Sequence, residues 1–131
     1  MGRCLVIVLD TVALLFWMFE RVSLSKDAAR AIASADRIAV SSISIWEIGV
    51  KVNTGKLSIP LPVPELAERL ERVDRLDLLA VDLGTWLMVL DLDWAHRDPA
   101  DRTIVATAAL LACPLLTPDS RIQKFYTRSI W

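Results

Sequence analysis

The sequence contains few of the side chains that bind soft metals or form covalent cross-links. Its 131 residues include 1 histidine and 2 cysteines, Cys4 and Cys113. Both cysteines lie in apolar runs, so we expect them to be buried core residues. Their number and spacing fit neither a zinc site nor a disulfide framework. A metal site in this chain would therefore be built from carboxylate oxygens, which favour Mg²⁺ or Mn²⁺.

The chain also lacks an excess of charge of either sign. Fifteen basic residues face 16 acidic ones, which gives a formal net charge of −1 at pH 7. Such a balance provides no general attraction for a polyanion. Any binding of nucleic acid would depend on local basic residues or on a bound metal ion.

A long uninterrupted apolar run is missing as well. The stretch 4–19 is apolar, but Asp10 interrupts it near its middle. No other run approaches the roughly 20 apolar residues that a membrane span needs. We therefore expect a soluble, cytoplasmic protein without a membrane segment.

Apolar residues are abundant instead. They make up 54% of the chain and include five tryptophans. The length is typical of one domain, which we place at 1–131. A small domain with so many apolar residues usually covers part of its apolar surface with a partner. We expect a homodimer or a bound partner peptide.

Predicted strands and helices alternate along the chain. Segment 5–9 is a continuous apolar run, typical of a strand buried on both faces of a parallel sheet. Further short strands are predicted at 37–40, 78–81 and 114–117, with helices between them. This alternation predicts an α/β domain with a mainly parallel sheet and helices on both faces.

Acidic residues stand where such a sheet would bind a ligand. Asp10 and Asp119 follow predicted strands, while Glu47 and Asp101 lie in helices that follow turns. Open α/β sheets bind ligands beyond the carboxyl ends of their strands, so these carboxylates are expected to converge. Four carboxylates without basic partners repel one another, and a divalent cation would neutralise them.

Each acid also has a simpler structural interpretation. Asp10 can cap a helix, and Asp119 after Pro118 can be a turn residue. Asp101 can interact with the dipole of its helix, and Glu47 can be a solvated glutamate. Each signal is weak alone, and the metal-site hypothesis rests on their joint placement.

At this point the sequence resembles the PIN-domain ribonucleases, and within them the VapC-type toxins of bacterial toxin–antitoxin pairs. The resemblance covers nearly the whole chain, and its specificity lies in the ordered set of motifs rather than in any one of them. The matching stretches are Val-Leu-Asp-Thr at 8–11, Ser-Ser-Ile-Ser-Ile-Trp-Glu-Ile at 41–48, Lys-Leu at 56–57, His-Arg-Asp-Pro-Ala-Asp-Arg at 96–102 and Leu-Leu-Thr-Pro-Asp at 115–119.

The resemblance implies a fold, a site and an activity. The fold would be a PIN-like three-layer α/β/α domain. The activity would be endonucleolytic cleavage of structured RNA, such as transfer or ribosomal RNA, with Mg²⁺ or Mn²⁺ as cofactor. The partner would be a VapB-type antitoxin that lays a peptide over the active-site groove, and homodimers would be usual. The catalytic and metal-binding residues would be Asp10, Glu47, Asp101 and Asp119, supported by Thr11, Asp98 and Thr117.

Several other side chains have two interpretations at this stage. The basic residues either contact RNA phosphates or form a solvated surface; they are Lys51, Lys56, Arg97 and Arg102. His96 is interpreted as a loop residue, because a metal-bound water needs no histidine base. Trp17, Trp46 and Trp86 lie in apolar helical runs and favour core or dimer packing, whereas the sequence does not settle the roles of Trp94 and Trp131.

Two alternative functions share the α/β pattern. A receiver-like signalling domain would accept a phosphate on an aspartate after a central strand and would carry an acidic pair after the first strand. Here Asp10 stands alone after the first strand, and no lysine follows a late strand where one is needed. A catalytically silent PIN-fold binding module would keep the fold without activity, and the presence of all four acids argues against it.

Overall fold

The computed structural model describes residues 5–131. Strands and helices alternate through this part of the chain. In chain order the elements are β1 Val6–Leu9, α1 Thr11–Phe19, a 3₁₀ turn Arg21–Ser23, α2 Lys26–Ser34, β2 Arg37–Ser41, α3 Ile43–Asn53, α4 Val63–Arg72, β3 Leu76–Leu79, α5 Leu83–Asp91, α6 Pro99–Leu111, β4 Leu115–Leu116, α7 Ser120–Phe125 and β5 Ser129–Ile130.

The five strands found within residues 5–131 form one sheet in the order β3-β2-β1-β4-β5. Every pairing between them is parallel. The chain builds outward from β1 to β2 and β3, then returns to the other side of β1 for β4 and β5. The strand order therefore reverses between β1 and β4, and such a switch point opens a crevice at the carboxyl ends of the two strands.

Alternating side chains of β1 contact two different apolar layers. Ile7 and Leu9 join a core with α1 to α4, whereas Val8 joins a second core with α6 and α7. Since successive strand residues point to opposite faces, a strand buried on both sides contributes to both layers. The predicted three-layer α/β/α arrangement with a parallel sheet is confirmed.

Aspartates begin several of the helices. The carboxylates of Asp10, Asp82, Asp98 and Asp119 accept backbone N–H groups at the starts of α1, α5, α6 and α7. A capping acid must stand directly before its helix, so the carboxyl end of β1 and the turn after β4 each receive a carboxylate. The aspartates that cap α1 and α7 therefore also lie at the carboxyl ends of β1 and β4, where a ligand would bind.

The predicted third strand is displaced by two residues. The prediction was 78–81, and the strand is Leu76–Leu79. Arg75 adopts a left-handed backbone (φ 67°) that starts the strand early, and its carbonyl accepts the N–H of Ile38. At the other end Asp82 caps α5, so the chain has to leave the sheet before that residue.

The two cysteine predictions have different outcomes. Cys113 is a buried free thiol in the second core, as predicted, whereas Cys4 lies outside the described residues. Among the helices in residues 5–131, none combines the length and the apolar character needed to cross a membrane.

Candidate metal centre

Asp10 lies at the carboxyl end of β1 and is almost fully buried, at 3% exposure. One carboxylate oxygen accepts the Ala13 N–H at 2.8 Å, and the other accepts the Thr117 hydroxyl at 2.5 Å. Burial raises the pKa of Asp10 to about 7, against the lowering effect of these two hydrogen bonds. The negative charges of Asp101 and Asp119 make a smaller contribution to this raised pKa.

Asp119 follows β4, on the other side of the switch point. Its backbone N–H donates to the Thr117 hydroxyl, so Thr117 links the chain at Asp119 to the Asp10 carboxylate. The Asp119 carboxylate caps α7 and forms an ion pair with Arg121 at 3.2 Å. Burial acts to raise the pKa of Asp119, but the hydrogen bonds and charge of Arg121 outweigh it and hold the pKa below its usual value.

Asp101 lies in the first turn of α6 and is positioned by two neighbours. Its backbone N–H donates to the Asp98 carboxylate at 2.8 Å, and its side chain is hydrogen-bonded to His96 Nε2 at 2.7 Å. Burial raises the pKa of Asp101, His96 opposes this, and the charges of Asp98, Glu47 and Asp119 raise the pKa again. Asp101 is thus within electrostatic reach of the other acids.

Glu47 reaches the cluster from α3. Its side chain is mostly buried, at 13% exposure, and it pairs with Lys51 one turn later at 3.3 Å. Ser44, about one helical turn before Glu47, is fully buried and shares a hydrogen bond with the Thr11 hydroxyl at 2.9 Å. That contact fixes α3 against the start of α1, which carries Asp10 as its cap.

The structure therefore brings all four predicted acids into one electrostatic cluster at the switch point. Their donor atoms are carboxylate oxygens, the ligands that Mg²⁺ and Mn²⁺ prefer. A buried carboxylate that is destabilised by two neighbouring negative charges is stabilised by a divalent cation placed between them. The residues present fit such an ion.

A tighter group of potential ligands lies at the edge of this cluster. Within residues 5–131 one set of three His, Cys, Asp or Glu side chains has donor atoms that all lie within 4.8 Å of one another, and it consists of His96, Asp98 and Asp101. Asp101 belongs to both groups. The Asp98 carboxylate also caps α6, where it accepts the backbone N–H of Asp101.

The structure changes the interpretation of Arg102. Its guanidinium donates four hydrogen bonds of 2.6–3.0 Å to the carbonyls of Val89, Leu92, Trp94 and His96. These bonds occupy four of the five N–H donors of a guanidinium. The predicted phosphate contact is therefore dropped for Arg102, which holds the segment between α5 and α6. Lys51, Lys56 and Arg97 are exposed.

The tryptophans divide into packed and exposed residues. Trp17 is buried, as predicted, but Trp46 and Trp86 are 55% and 42% exposed. For these two, packing in the core of the single chain is ruled out, and packing in a dimer stays a prediction. Trp94 stacks on Phe125 with ring centroids 4.8 Å apart and also contacts His96. Trp131 packs against the first core and Phe16.

Sequence reasoning missed two residues that act on the site acids. His96 was interpreted as a plain loop residue, yet it fixes the Asp101 carboxylate. Arg121 was not considered, yet it pairs with Asp119. The spacing of an arginine two residues after a capping aspartate was the available signal for Arg121, whereas the His96 contact depends on how the 92–98 loop folds.

Comparison with known proteins agrees with this architecture. The sequence model of the PIN domain matches residues 7–127. Ribonuclease VapC22 from Mycobacterium tuberculosis (strain ATCC 25618 / H37Rv) is 29% identical over 117 residues, which are 89% of each chain. The resemblance inferred from the motifs is confirmed.

Solved structures show the same fold at lower identity. A toxin–antitoxin complex from Klebsiella pneumoniae gives a TM-score of 0.64 at 19% identity, covering 95% of each chain. VapBC2 from Rickettsia felis, bound to a DNA fragment from their promoter, gives 0.65 at 15% identity, covering 96% of each chain. The family match spans almost all of the sheet and every acid of the cluster, and on that basis the chain belongs to the PIN domain family.

Proposed function

We propose that this protein is a metal-dependent endoribonuclease and the toxin of a type II toxin–antitoxin pair. The observation that carries the proposal is the carboxylate cluster at the β1–β4 switch point, where the charges of Asp101 and Asp119 act on the buried Asp10 and that of Asp119 also acts on Asp101. The names of the similar proteins support the choice of RNA as substrate and of an antitoxin as partner.

Four acids would hold the cation: Asp10, Glu47, Asp101 and Asp119. When bound, Mg²⁺ or Mn²⁺ polarises a phosphate and lowers the pKa of a coordinated water. Mg²⁺ keeps several waters and binds through few carboxylates. This mode of binding fits acids whose carboxylate oxygens do not all lie within 4.8 Å of one another.

The chain's own residues hold this site in place. Thr117 orients Asp10 and anchors the backbone at Asp119, and His96 fixes one oxygen of Asp101. Lys51 compensates the charge of Glu47. Asp98 supports Asp101 through its backbone, and Thr11 supports α3 through Ser44.

We further propose transfer or ribosomal RNA as the substrate, with Lys51, Lys56 and Arg97 contacting its phosphates. The remaining proposals are a VapB-type antitoxin as partner, a homodimer, one domain spanning 1–131 and a cytoplasmic location.

A receiver-like domain is disfavoured by the surroundings of Asp10. A receiver domain needs further acidic and basic partners around its phospho-accepting aspartate, whereas Asp10 is the one acid that directly follows β1, and no lysine directly follows a late strand in the described part of the chain. A silent binding module is disfavoured because all four acids are present, with Glu47 and Asp119 acting on Asp101 through their charges and Asp101 and Asp119 acting on Asp10.

The test is cleavage of purified transfer and ribosomal RNA with Mn²⁺ or Mg²⁺. We expect the wild-type protein to cut RNA internally, and Asp10→Asn and EDTA each to abolish cutting while circular dichroism shows a folded protein. An intact RNA pool after incubation with metal-loaded wild-type protein would contradict the proposal. A Mn²⁺ titration that shows no binding would favour the silent module.

A further inference from the structure

A groove with an apolar wall, to which the proposed chemistry assigns no role, borders the carboxylate cluster. It has a volume of about 230 Å³ and lies between α3 and the first turn of α6. Trp46 and Val50 line it from α3, and Pro99 and Ala100 line it from α6. Glu47 and Asp98 also line the groove, so it continues directly into the site.

Trp46 is exposed although its helix has a buried face. The indole side chain is 55% exposed and Val50, one turn later, is 42% exposed, whereas Ser44 and Ile48 form the buried side of α3. Residues four apart in a helix are neighbours on its surface. Trp46 and Val50 therefore form a continuous apolar strip that the core of the single chain does not use.

Two ammonium groups lie along the same groove. Lys51 and Lys56 both line it and both are exposed. Lys51 is held 3.3 Å from Glu47, at the end nearest the acids. An aromatic platform beside cations is the combination that binds single-stranded nucleic acid, by stacking the bases and attracting the phosphates.

We propose that this groove is a nucleotide subsite, in which Trp46 stacks on an unpaired base next to the scissile phosphate and the two lysines contact flanking phosphates. The inference rests on the proposed ribonuclease function and names the part of the RNA that is recognised. The groove is smaller than a drug-sized ligand needs, which suits one base. Because every base has a π face, the subsite selects an unpaired nucleotide rather than a particular base.

The first test is binding of a fluorescein-labelled single-stranded oligoribonucleotide in EDTA, followed by fluorescence anisotropy. We expect Trp46→Ala to raise the Kd roughly tenfold, in line with the loss of one base–aromatic stack. Trp46→Phe should restore most of the affinity, because it keeps a π face. The control is Val22→Ala, which removes an exposed apolar side chain outside both the groove and α5, and should leave the Kd unchanged.

Cleavage kinetics give a second readout in the presence of Mn²⁺. Trp46→Ala should raise KM roughly tenfold and leave kcat within about twofold, because stacking positions the RNA strand without touching the reacting atoms.

The salt dependence of binding tests the lysines. Lys56→Ala should reduce the slope of log Kd against log salt concentration by about 0.7, the value for one lost phosphate contact on a single strand.

Three results would contradict the proposal of a nucleotide subsite. They are an unchanged Kd for Trp46→Ala, a loss that Trp46→Phe does not restore, and a fall in the molar mass of Trp46→Ala by light scattering, which would assign Trp46 to a contact between copies of the chain. The proposed function fails separately, when the wild-type protein binds the oligoribonucleotide through Trp46 but does not cut RNA with any divalent metal.

Discussion

Asp10 combines a capping role with a charge that the fold disfavours. It caps α1, accepts the Thr117 hydroxyl and is nearly inaccessible to water. Burial raises its pKa from 3.8 to about 7, so the folded protein binds a proton at pH values where the unfolded chain does not. In the metal-free protein, the stability associated with Asp10 is full below pH 3.8 and is lost as the pH rises to about 7.

Asp10→Asn should therefore stabilise the metal-free protein at high pH. The amide keeps an oxygen for the Ala13 N–H and removes the buried charge. In EDTA at pH 8 we expect a free energy of unfolding roughly 2–4 kcal/mol above that of the wild type, and the difference should vanish near pH 4. Urea unfolding at both pH values measures this, and a difference that does not change with pH would contradict it.

Thr117 should tune metal affinity through Asp10. Thr117→Val keeps the shape but removes the hydroxyl that lowers the pKa of Asp10 and accepts the N–H of Asp119. Fewer molecules then carry an ionised Asp10 at pH 7, and Mn²⁺ affinity should fall roughly 10- to 100-fold, as is usual for a residue that orients a metal ligand. The control is Thr107→Val, a buried threonine that donates to the Thr103 carbonyl within α6. Equal Mn²⁺ titrations for Thr117→Val and wild type would contradict this role.

The residue types of the site were predictable, but their partners were not. Strand ends followed by an acid predict Asp10 and Asp119, since capping and ligand binding both favour aspartate there. The contacts of His96 and Arg102 depend on the course of residues 92–98, which has no periodic pattern to predict it. For this reason the sequence did not reveal that His96 contacts Asp101 or that Arg102 binds backbone carbonyls in place of a phosphate.

At the scale of elements, the segment between α5 and α6 is held by a single guanidinium. Arg102 lies in α6, and its four acceptors come from the end of α5 and the loop that leads to His96. Since His96 positions Asp101, the loop and the site share this anchor. The planar fork of arginine suits several carbonyls at once, which lysine cannot reproduce.

Replacing Arg102 should lower the stability of the protein, because Arg102 anchors the loop and does not contact RNA. We expect Arg102→Ala to lower the free energy of unfolding by roughly 2–4 kcal/mol, because four carbonyls lose a charged donor. Arg97→Ala changes an exposed arginine of the same loop and should stay within about 0.5 kcal/mol of the wild type. An Arg102→Ala protein with wild-type stability and weakened RNA binding would return Arg102 to the phosphate contacts.

Most element types could be predicted from periodicity, whereas their limits depended on tertiary contacts. The buried run of β1 was clear in the sequence. The third strand moved by two residues because a left-handed Arg75 and the capping Asp82 fix its ends. A non-glycine residue with positive φ gives no sequence signal that could have corrected this.

At the scale of the whole molecule, apolar side chains remain on one face. On α5, Leu83, Leu87 and Leu90 are 72%, 58% and 79% exposed, and Leu110 and Leu111 of the adjoining α6 are about half exposed. The apolar composition predicted such a surface, and we expect two copies of the chain to associate through it.

Introducing a charge on this face should therefore weaken the dimer. Leu87→Glu should shift the molar mass from dimer toward monomer at micromolar concentration, because a buried charge without a partner is costly. Val22→Glu, at an isolated position that is 94% exposed, is the control and should leave the mass unchanged. Light scattering after gel filtration makes the measurement, and a monomeric wild-type protein would contradict the expectation.

The sheet topology gathers the acids, and its order of strands was not predicted. Alternating patterns imply parallel strands, but they do not specify that the chain returns across β1 to form β4. That return places Asp119 opposite Asp10 and links both through Thr117. Sequence separation between them exceeds 100 residues, so only the folded chain shows the contact.

The most direct test of the account is the position of Mn²⁺ in an anomalous difference map from crystals grown with the ion. The account predicts a peak at the β1–β4 switch point, with carboxylate oxygens of Asp10, Asp101 and Asp119 around it. A peak held by His96 and Asp98 without Asp10, or a map with no peak near these acids at saturating Mn²⁺, would contradict it.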